Sequence, residues 1–151
     1  MPNFDDIDKA ILNRIQSDFP IEQRPYRAIG KDLGISEDDV IERVRRLKAD
    51  GIIRRIGGNF SPEKLGFVST LCAGSVPAEK IEDFTRTVNE YPGVTHNYLR
   101  NNTYNIWFTF IAPSREIIAE NLDEISEKTG ITDILNLPAT TVYKIRAKFK
   151  V

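Results

Sequence analysis

THNYLRNNTYNIWFTF, residues Thr95 to Phe110, predicts a β-hairpin. Its residues alternate on both sides of a polar run, Asn101 to Thr103, as they do in two strands joined by a turn. The strands are predicted over residues 94–100 and 104–112. In the second strand one face is predicted to be core, from Tyr104, Ile106, Phe108 and Phe110. The other face is predicted to be open, and it carries Asn105, Trp107 and Thr109.

Helices and strands are predicted on both sides of this hairpin. Apolar residues at helical spacing predict amphipathic helices over residues 78–90 and 114–128. The segment FVSTLCAGSV precedes the first helix as a strand, and an extended segment, residues 134–151, follows the second. The order β-α-β-β-α-β is the ferredoxin-like arrangement.

Three helices are predicted before this domain. The first follows Asp5 and Asp6, the second runs from Pro25 to about Gly34, and the third begins at Ser36. The next segment, IIRRIGGNF, is predicted to be a wing strand, which makes the module a winged helix-turn-helix. The predicted fold class is therefore α+β, with a winged helix-turn-helix domain over residues 1–60 and a ferredoxin-like domain over residues 61–151.

Composition excludes several classes of protein. The 151 residues are 40% apolar and 28% charged, as in a soluble globular protein. No long uncharged apolar run is available to span a membrane, and the acidic N-terminus does not resemble a signal peptide, so we expect a cytoplasmic protein. One cysteine and one histidine exclude an internal disulfide and a structural zinc site within one chain.

DNA binding is not expected from the helix-turn-helix. A recognition helix contacts bases near its N-terminus, where this chain has Glu37, Asp38 and Asp39. Residues 1–57 contain 11 Lys and Arg against 11 Asp and Glu, so the module has no net positive charge to attract phosphates.

The end of the chain is predicted to be a basic strand. From Tyr143 to Lys150 the residues alternate, so that Lys144, Arg146, Lys148 and Lys150 share one face. Such a row protects an edge strand from aggregation, or it faces a polyanionic ligand. In the second case, cations on the wing and the hairpin would extend the surface, namely Arg54, Arg55 and Arg100.

The only histidine, His96, shares one strand face with Tyr98 and Arg100. Whether that face is core or open depends on the strand register, which the sequence does not specify. A lone histidine beside aromatic residues is either a packed, hydrogen-bonded residue or a functional one.

The whole chain resembles the Lrp/AsnC family, in which a winged helix-turn-helix precedes a ferredoxin-like ligand-sensing domain. The hairpin is similar to the signature of siroheme decarboxylases, Lrp-like enzymes of alternative haem and haem d1 biosynthesis. The matching residues are His96-Asn97-Tyr98, Arg100 and Tyr104-Asn105-x-Trp107-Phe108-Thr109.

This resemblance implies a carboxy-lyase that removes the C12 and C18 acetate carboxylates of siroheme and leaves 12,18-didecarboxysiroheme. It makes His96, Tyr98 and Arg100 the candidate catalytic residues. The candidate substrate-binding residues supply flat surface, polar contacts and cations, and they are Tyr104, Asn105, Trp107, Lys144, Arg146, Lys148, Arg54 and Arg55. No cofactor is expected beyond the iron of the substrate.

Two roles are open for His96. Decarboxylation leaves electron density on carbon that must be protonated, and an unperturbed imidazole titrates near neutral pH. A neutral imidazole also ligates haem iron.

The turn departs from the family pattern, because Asn102 stands near the position of a second histidine in many members. The resemblance therefore implies a heterodimer with a paralogous Lrp-like subunit that completes the site. Two alternatives are an Lrp-type transcription regulator that senses a tetrapyrrole or an amino acid, and a non-catalytic haem-binding subunit.

Overall fold

The structure is a computed structural model that describes residues 5–58, 60–144 and 149. The chain divides into two compact units, residues 1–58 with 144–151, and residues 59–143. At the end of the chain Lys144 and Phe149 therefore group with the N-terminal unit, whereas the sequence assigned them to the second domain.

Three helices form the N-terminal unit, α1 (Asp6–Ser17), α2 (Pro25–Leu33) and α3 (Glu37–Ala49). Proline begins α2, and Gly34 ends it in the left-handed conformation, with φ of 70°, that favours glycine. The apolar stripes of the helices meet in one buried core of Ile11, Ile29, Val40, Val44, Leu47 and Ile53. The predicted helix-turn-helix is confirmed.

A buried carboxylate joins α1 to α3. Asp8 is 1% exposed, and its two oxygens accept from the guanidinium groups of Arg43, at 2.7 Å, and Arg46, at 2.5 Å. The Asp8 backbone N–H donates to the Asp5 carboxylate at 2.8 Å, which completes a capping box at the start of α1. Arg43 also donates to Asp5. We call these four residues the Asp8 cluster.

The predicted wing strand is wrong. Residues 52–58 contain no strand. The backbone N–H groups of Ile52 and Ile53 both donate to the Leu47 carbonyl, which folds the segment back onto the end of α3. Ile53 then packs into the core of the three helices. This β-branched side chain is therefore buried against helices and does not pair in a sheet.

A four-stranded antiparallel sheet forms the second unit. Its strands are β1 (Val68–Gly74), β2 (Val94–Leu99), β3 (Ile106–Ala112) and β4 (Ile134–Leu137), in the order β2-β3-β1-β4. Two helices, α4 (Ile81–Asn89) and α5 (Arg115–Thr129), connect them, with short 3₁₀ turns at Glu63–Leu65 and Ala78–Lys80. This is the predicted ferredoxin-like fold.

Alternation along β3 places three of the four predicted core side chains as the sequence predicts, whereas Tyr104 precedes β3 and is only half-buried. Ile106, Phe108 and Phe110 are at most 1% exposed. They pack with apolar side chains of both helices, Phe84, Val88, Ile118, Leu122 and Ile125. Both helices therefore cover one face of the sheet.

Of the predicted C-terminal strand, only Ile134–Leu137 is a strand within residues 134–144. β4 ends at Leu137, and residues 138–144 have no regular structure. Pro138 follows directly, and proline has no N–H to continue a ladder. Lys144, the first cation of the predicted basic row, therefore does not lie in a strand. Arg146 and Lys148 lie outside the described residues.

The longest helix in the described part of the chain, α5, has 15 residues. Within that part, no helix combines the length and the apolar character that crossing a bilayer requires.

Candidate functional site

The face of the sheet that the helices leave uncovered carries the candidate site. It is formed by alternate residues of all four strands, and we call it the open face. The side chains come from Leu71 and Ala73 of β1, His96 and Tyr98 of β2, Trp107, Thr109 and Ile111 of β3, and Leu135 and Leu137 of β4.

The strand register resolves which face His96 occupies. In the antiparallel pair of β2 and β3, His96 lies opposite Thr109, and Tyr98 lies opposite Trp107. Directly opposite residues project from the same face of a sheet. His96 and Tyr98 therefore share the open face with Trp107.

A β-bulge produces this register. Val94 lies opposite Phe110, whereas His96, two residues later, lies opposite Thr109, so Thr95 is an extra residue. Without the bulge His96 would lie opposite Phe108, on the face beneath the helices. Gly93 holds the register before the bulge, because its carbonyl accepts from Ile111 N–H at 2.8 Å. The bulge thus directs the histidine to the open face.

His96 and Tyr98 form a stacked pair. Their ring centroids are 5.9 Å apart with an angle of 11° between the planes, and the Tyr98 hydroxyl lies 3.0 Å from His96 Nδ1. When this hydroxyl donates to Nδ1, the neutral imidazole carries its own hydrogen on Nε2. Both residues are exposed, so the pair is oriented and accessible to a ligand on the open face.

Arg100 and Trp107 form a second pair beside the first. The Arg100 guanidinium carbon lies 5.0 Å from the centroid of the Trp107 ring, within the range of a cation–π contact. The indole N–H donates to the Tyr104 carbonyl at 2.6 Å, and the Arg100 backbone N–H donates to the Asn105 carbonyl at 2.7 Å. The turn backbone therefore holds the Trp107 indole and the Arg100 main chain, and the guanidinium rests on the indole ring.

Tyr104 and Asn105 are tied to neighbouring loops. The Tyr104 hydroxyl donates to the Asp133 carboxylate at 2.9 Å, and this hydrogen bond raises the pKa of Tyr104. The Asn105 carboxamide accepts from the Val76 N–H at 2.9 Å and donates to the Val76 carbonyl at 2.8 Å. Both side chains support the hairpin at these contacts, and their predicted contact with substrate stays a prediction.

The predicted cations outside the hairpin do not belong to the unit that carries the open face. Arg54 and Arg55 are exposed in the irregular segment of the N-terminal unit, and Lys144 is exposed at the end of the chain. Arg146 and Lys148 lie outside the described residues. Their predicted role in binding a polyanion is therefore untested.

Two features of the site were not predicted. Asp133 is 29 residues from Tyr104 and belongs to no local pattern that would link the two. The apolar character of the open face was also missed, although the alternation of β1 contained the signal. Leu71 and Leu137 are 40% and 41% exposed there.

The single cysteine is not a candidate nucleophile. Cys72 is fully buried in the core of the second unit, and burial raises the pKa of its thiol to about 12. Among the described residues, no group of three or more His, Cys, Asp and Glu side chains is arranged to hold a metal ion.

Two family models match the chain. Residues 64–144 match an AsnC-like ligand binding domain. Residues 8–54 match the helix-turn-helix domain of siroheme decarboxylases of the NirDL type.

Curated relatives align over nearly the whole chain. The siroheme decarboxylase alpha subunit of Desulfovibrio desulfuricans is 53% identical over 99% of this chain and 86% of its own length. The siroheme decarboxylase NirD subunit of Pseudomonas aeruginosa is 39% identical over 96% of this chain and 95% of its own length.

A solved structure of a siroheme decarboxylase also matches this chain. The crystal structure of the siroheme decarboxylase NirDL in complex with an iron-uroporphyrin III analogue superposes with a TM-score of 0.67 and 31% identity. The match covers 95% of this chain and 48% of the NirDL chain, so this chain spans about half of NirDL.

Proposed function

Because the chain belongs to the siroheme decarboxylase family, we propose that it is a subunit of an enzyme that removes acetate carboxyl groups from siroheme. The proposed product is 12,18-didecarboxysiroheme, an intermediate of alternative haem biosynthesis. The observation that carries the proposal is the placement of His96, Tyr98, Arg100 and Trp107 side by side on the open face.

The chemistry of these residues suits a flat, polyanionic substrate. Trp107, Tyr98 and the leucines of the open face offer apolar surface for a planar macrocycle. Arg100 offers a guanidinium that pairs with a carboxylate, in the bidentate manner that arginine favours. The site therefore combines stacking surface with a cation.

The proposed reaction needs a proton at carbon. When the carbon–carbon bond of an acetate side chain breaks, carbon dioxide leaves and the bonding electron pair stays on the side-chain carbon. A proton added to that carbon gives the methyl group. We assign this proton to His96, with the Tyr98 hydroxyl on Nδ1 holding the ring and leaving Nε2 to act as the donor. Ligation of the substrate iron by His96 is the alternative.

A paralogous Lrp-like subunit is the proposed partner. Asn102, exposed in the hairpin turn, offers no acid in place of the second histidine of many family members. Leu71 and Leu137 remain about two-fifths exposed on the open face, and such apolar surface favours a covering partner. A heterodimer that packs sheet to sheet would cover this surface and bring in the missing group.

The remaining assignments are part of the same proposal. Five cations are proposed to pair with further carboxylates of siroheme, namely Arg54, Arg55, Lys144, Arg146 and Lys148. No cofactor is proposed beyond the substrate iron. A cytoplasmic location is proposed as well, since a single cysteine fits a reducing compartment.

An anaerobic assay tests the function directly. The purified chain, alone and with a paralogous subunit, is incubated with siroheme, and the product mass is followed. We expect a loss of mass equal to two carbon dioxide units when both subunits are present. An unchanged mass under both conditions would contradict the enzyme proposal. Turnover by the chain alone would remove the need for a partner.

A transcription regulator is the second candidate, since the helix-turn-helix fold is present. Its recognition helix is poorly suited to DNA, because Arg43 and Arg46 are engaged with Asp8, while Asp38 and Glu42 are exposed. A cation already paired with a carboxylate contributes little to phosphate binding.

We therefore expect no sequence-selective DNA binding at physiological salt in a gel-shift experiment with promoter fragments. An Lrp-type regulator with a known operator serves as the positive control. Tight and selective binding by this chain would favour the regulator instead.

A further inference from the structure

Asp133 makes two contacts at the end of the sheet that carries the hairpin turn. It lies in the loop between α5 and β4. Its carbonyl accepts from the Ser75 N–H at 3.0 Å, and its carboxylate accepts from the Tyr104 hydroxyl at 2.9 Å. Asp133 therefore joins the loop after β1 and the turn between β2 and β3.

Tyr104 also connects Asp133 to Trp107 and Arg100 of the candidate site. Its carbonyl accepts from the Trp107 indole N–H at 2.6 Å, and the guanidinium carbon of Arg100 lies 5.0 Å from the centre of that ring. The contacts form one sequence, from the Asp133 carboxylate to Tyr104, then to the Trp107 indole and the Arg100 guanidinium.

We propose that Asp133 is a positioning residue, which acts through Tyr104 to hold the Trp107 indole and the Arg100 guanidinium in place for a tetrapyrrole carboxylate. The inference deepens the proposed function and rests on it. It assigns Asp133 no contact with the substrate.

The charge of Asp133 makes this role distinguishable from that of an ordinary surface acid. A carboxylate beside a polyanion site repels the ligand. If Asp133 were only a surface charge, its removal would strengthen siroheme binding. If Asp133 positions Tyr104, its removal weakens binding. The two roles therefore predict effects of opposite sign.

The Tyr104 hydroxyl remains a donor over the physiological range of pH. Its hydrogen bond to Asp133 is the largest cause of the raised pKa of Tyr104, so the phenol keeps its proton well above neutral pH. The contact is thus present under the conditions in which siroheme would bind.

Trp107 provides a direct readout, because it is the only tryptophan in the chain. In the free full-length chain, quenching of its fluorescence by acrylamide measures how firmly the indole is held. In an anaerobic titration with siroheme, quenching of the same fluorescence by the bound macrocycle measures the dissociation constant.

Three variants separate the possible roles. Asp133→Ala removes both the charge and the acceptor, Tyr104→Phe removes only the donor, and Asp133→Asn removes the charge but keeps an acceptor oxygen. The matched control is Asp123→Ala, which removes an exposed carboxylate from α5.

We expect Asp133→Ala and Tyr104→Phe each to increase acrylamide quenching and to weaken siroheme binding about five- to tenfold, the scale of one typical hydrogen bond. The double variant should be no weaker than either single one, since both remove the same contact. Asp133→Asn should bind as the wild type does or more tightly, and Asp123→Ala should match the wild type.

Two results would overturn the positioning role. One is unchanged acrylamide quenching in both Asp133→Ala and Tyr104→Phe, which is measured without siroheme. The other is unchanged or tighter siroheme binding by these variants. If siroheme fails to quench wild-type Trp107, the proposed substrate fails, whereas the acrylamide arm still decides whether Asp133 positions the indole. Tyr104→Phe keeps the experiment interpretable if Asp133→Ala does not fold.

Discussion

Replacing His96 with alanine is expected to lower the rate of siroheme decarboxylation by about 10²- to 10⁴-fold, the usual contribution of a positioned general acid. The imidazole stacks on Tyr98 and lies on the open face beside the aromatic surface proposed for the macrocycle. Because the chain contains a single histidine, no other imidazole of this chain can replace it.

Single-turnover kinetics with the wild-type partner subunit measure this rate, and optical spectra of bound siroheme separate the two roles of His96. Loss of turnover with an unchanged spectrum indicates the acid, and a changed spectrum indicates an iron ligand. Tyr98→Phe should have a smaller effect, since it removes only the hydroxyl on Nδ1. Asn101→Ala, in the exposed turn, serves as the control. Full turnover by His96→Ala would exclude the histidine from the chemistry.

Replacing Asp8 with alanine is expected to destabilise the N-terminal unit by about 1–3 kcal/mol, the scale of losing a hydrogen-bonded buried carboxylate whose arginine partners stay partly solvated. Arg43 and Arg46 would lose the carboxylate that they share, and the Asp5 N–H would lose an acceptor at the start of α1. Asp8→Asn keeps the shape and one acceptor oxygen, so its effect should be smaller.

Urea unfolding followed by circular dichroism measures this loss. Because the chain has two compact units, the curve is fitted for two transitions, and the effect should appear in one of them. Asp6→Ala is the matched control, since Asp6 is exposed and its ion pair with Lys9 lies at the surface, where such pairs contribute little. An Asp8→Ala curve that coincides with the wild-type curve would show that the Asp8 cluster does not stabilise the fold.

Periodicity predicted the parts of the fold that depend on burial within one element. The alternation of Ile106, Phe108 and Phe110 identified the core face of β3, and apolar stripes identified the helices. The same reasoning failed for IIRRIGGNF and for residues 138–144. Both segments have strand-like residues, but a strand also needs a partner with free N–H and carbonyl groups.

The composition of the candidate site was readable from the hairpin, but its geometry was not. The side of the sheet that carries His96 depends on the extra residue at Thr95, and no residue type signals that bulge. The contact between Tyr104 and Asp133 joins residues far apart in sequence and exists only after the sheet has assembled. Both features are tertiary, so a single sequence does not specify them.

The bulge at Thr95 also affects how this hairpin is aligned with those of relatives. A strand one residue shorter between Gly93 and the histidine would keep every residue type of the motif, yet its imidazole would point beneath the helices. Spacing therefore carries information that residue identity does not. A related sequence with the full motif but without the extra residue should not be assigned this site on the motif alone.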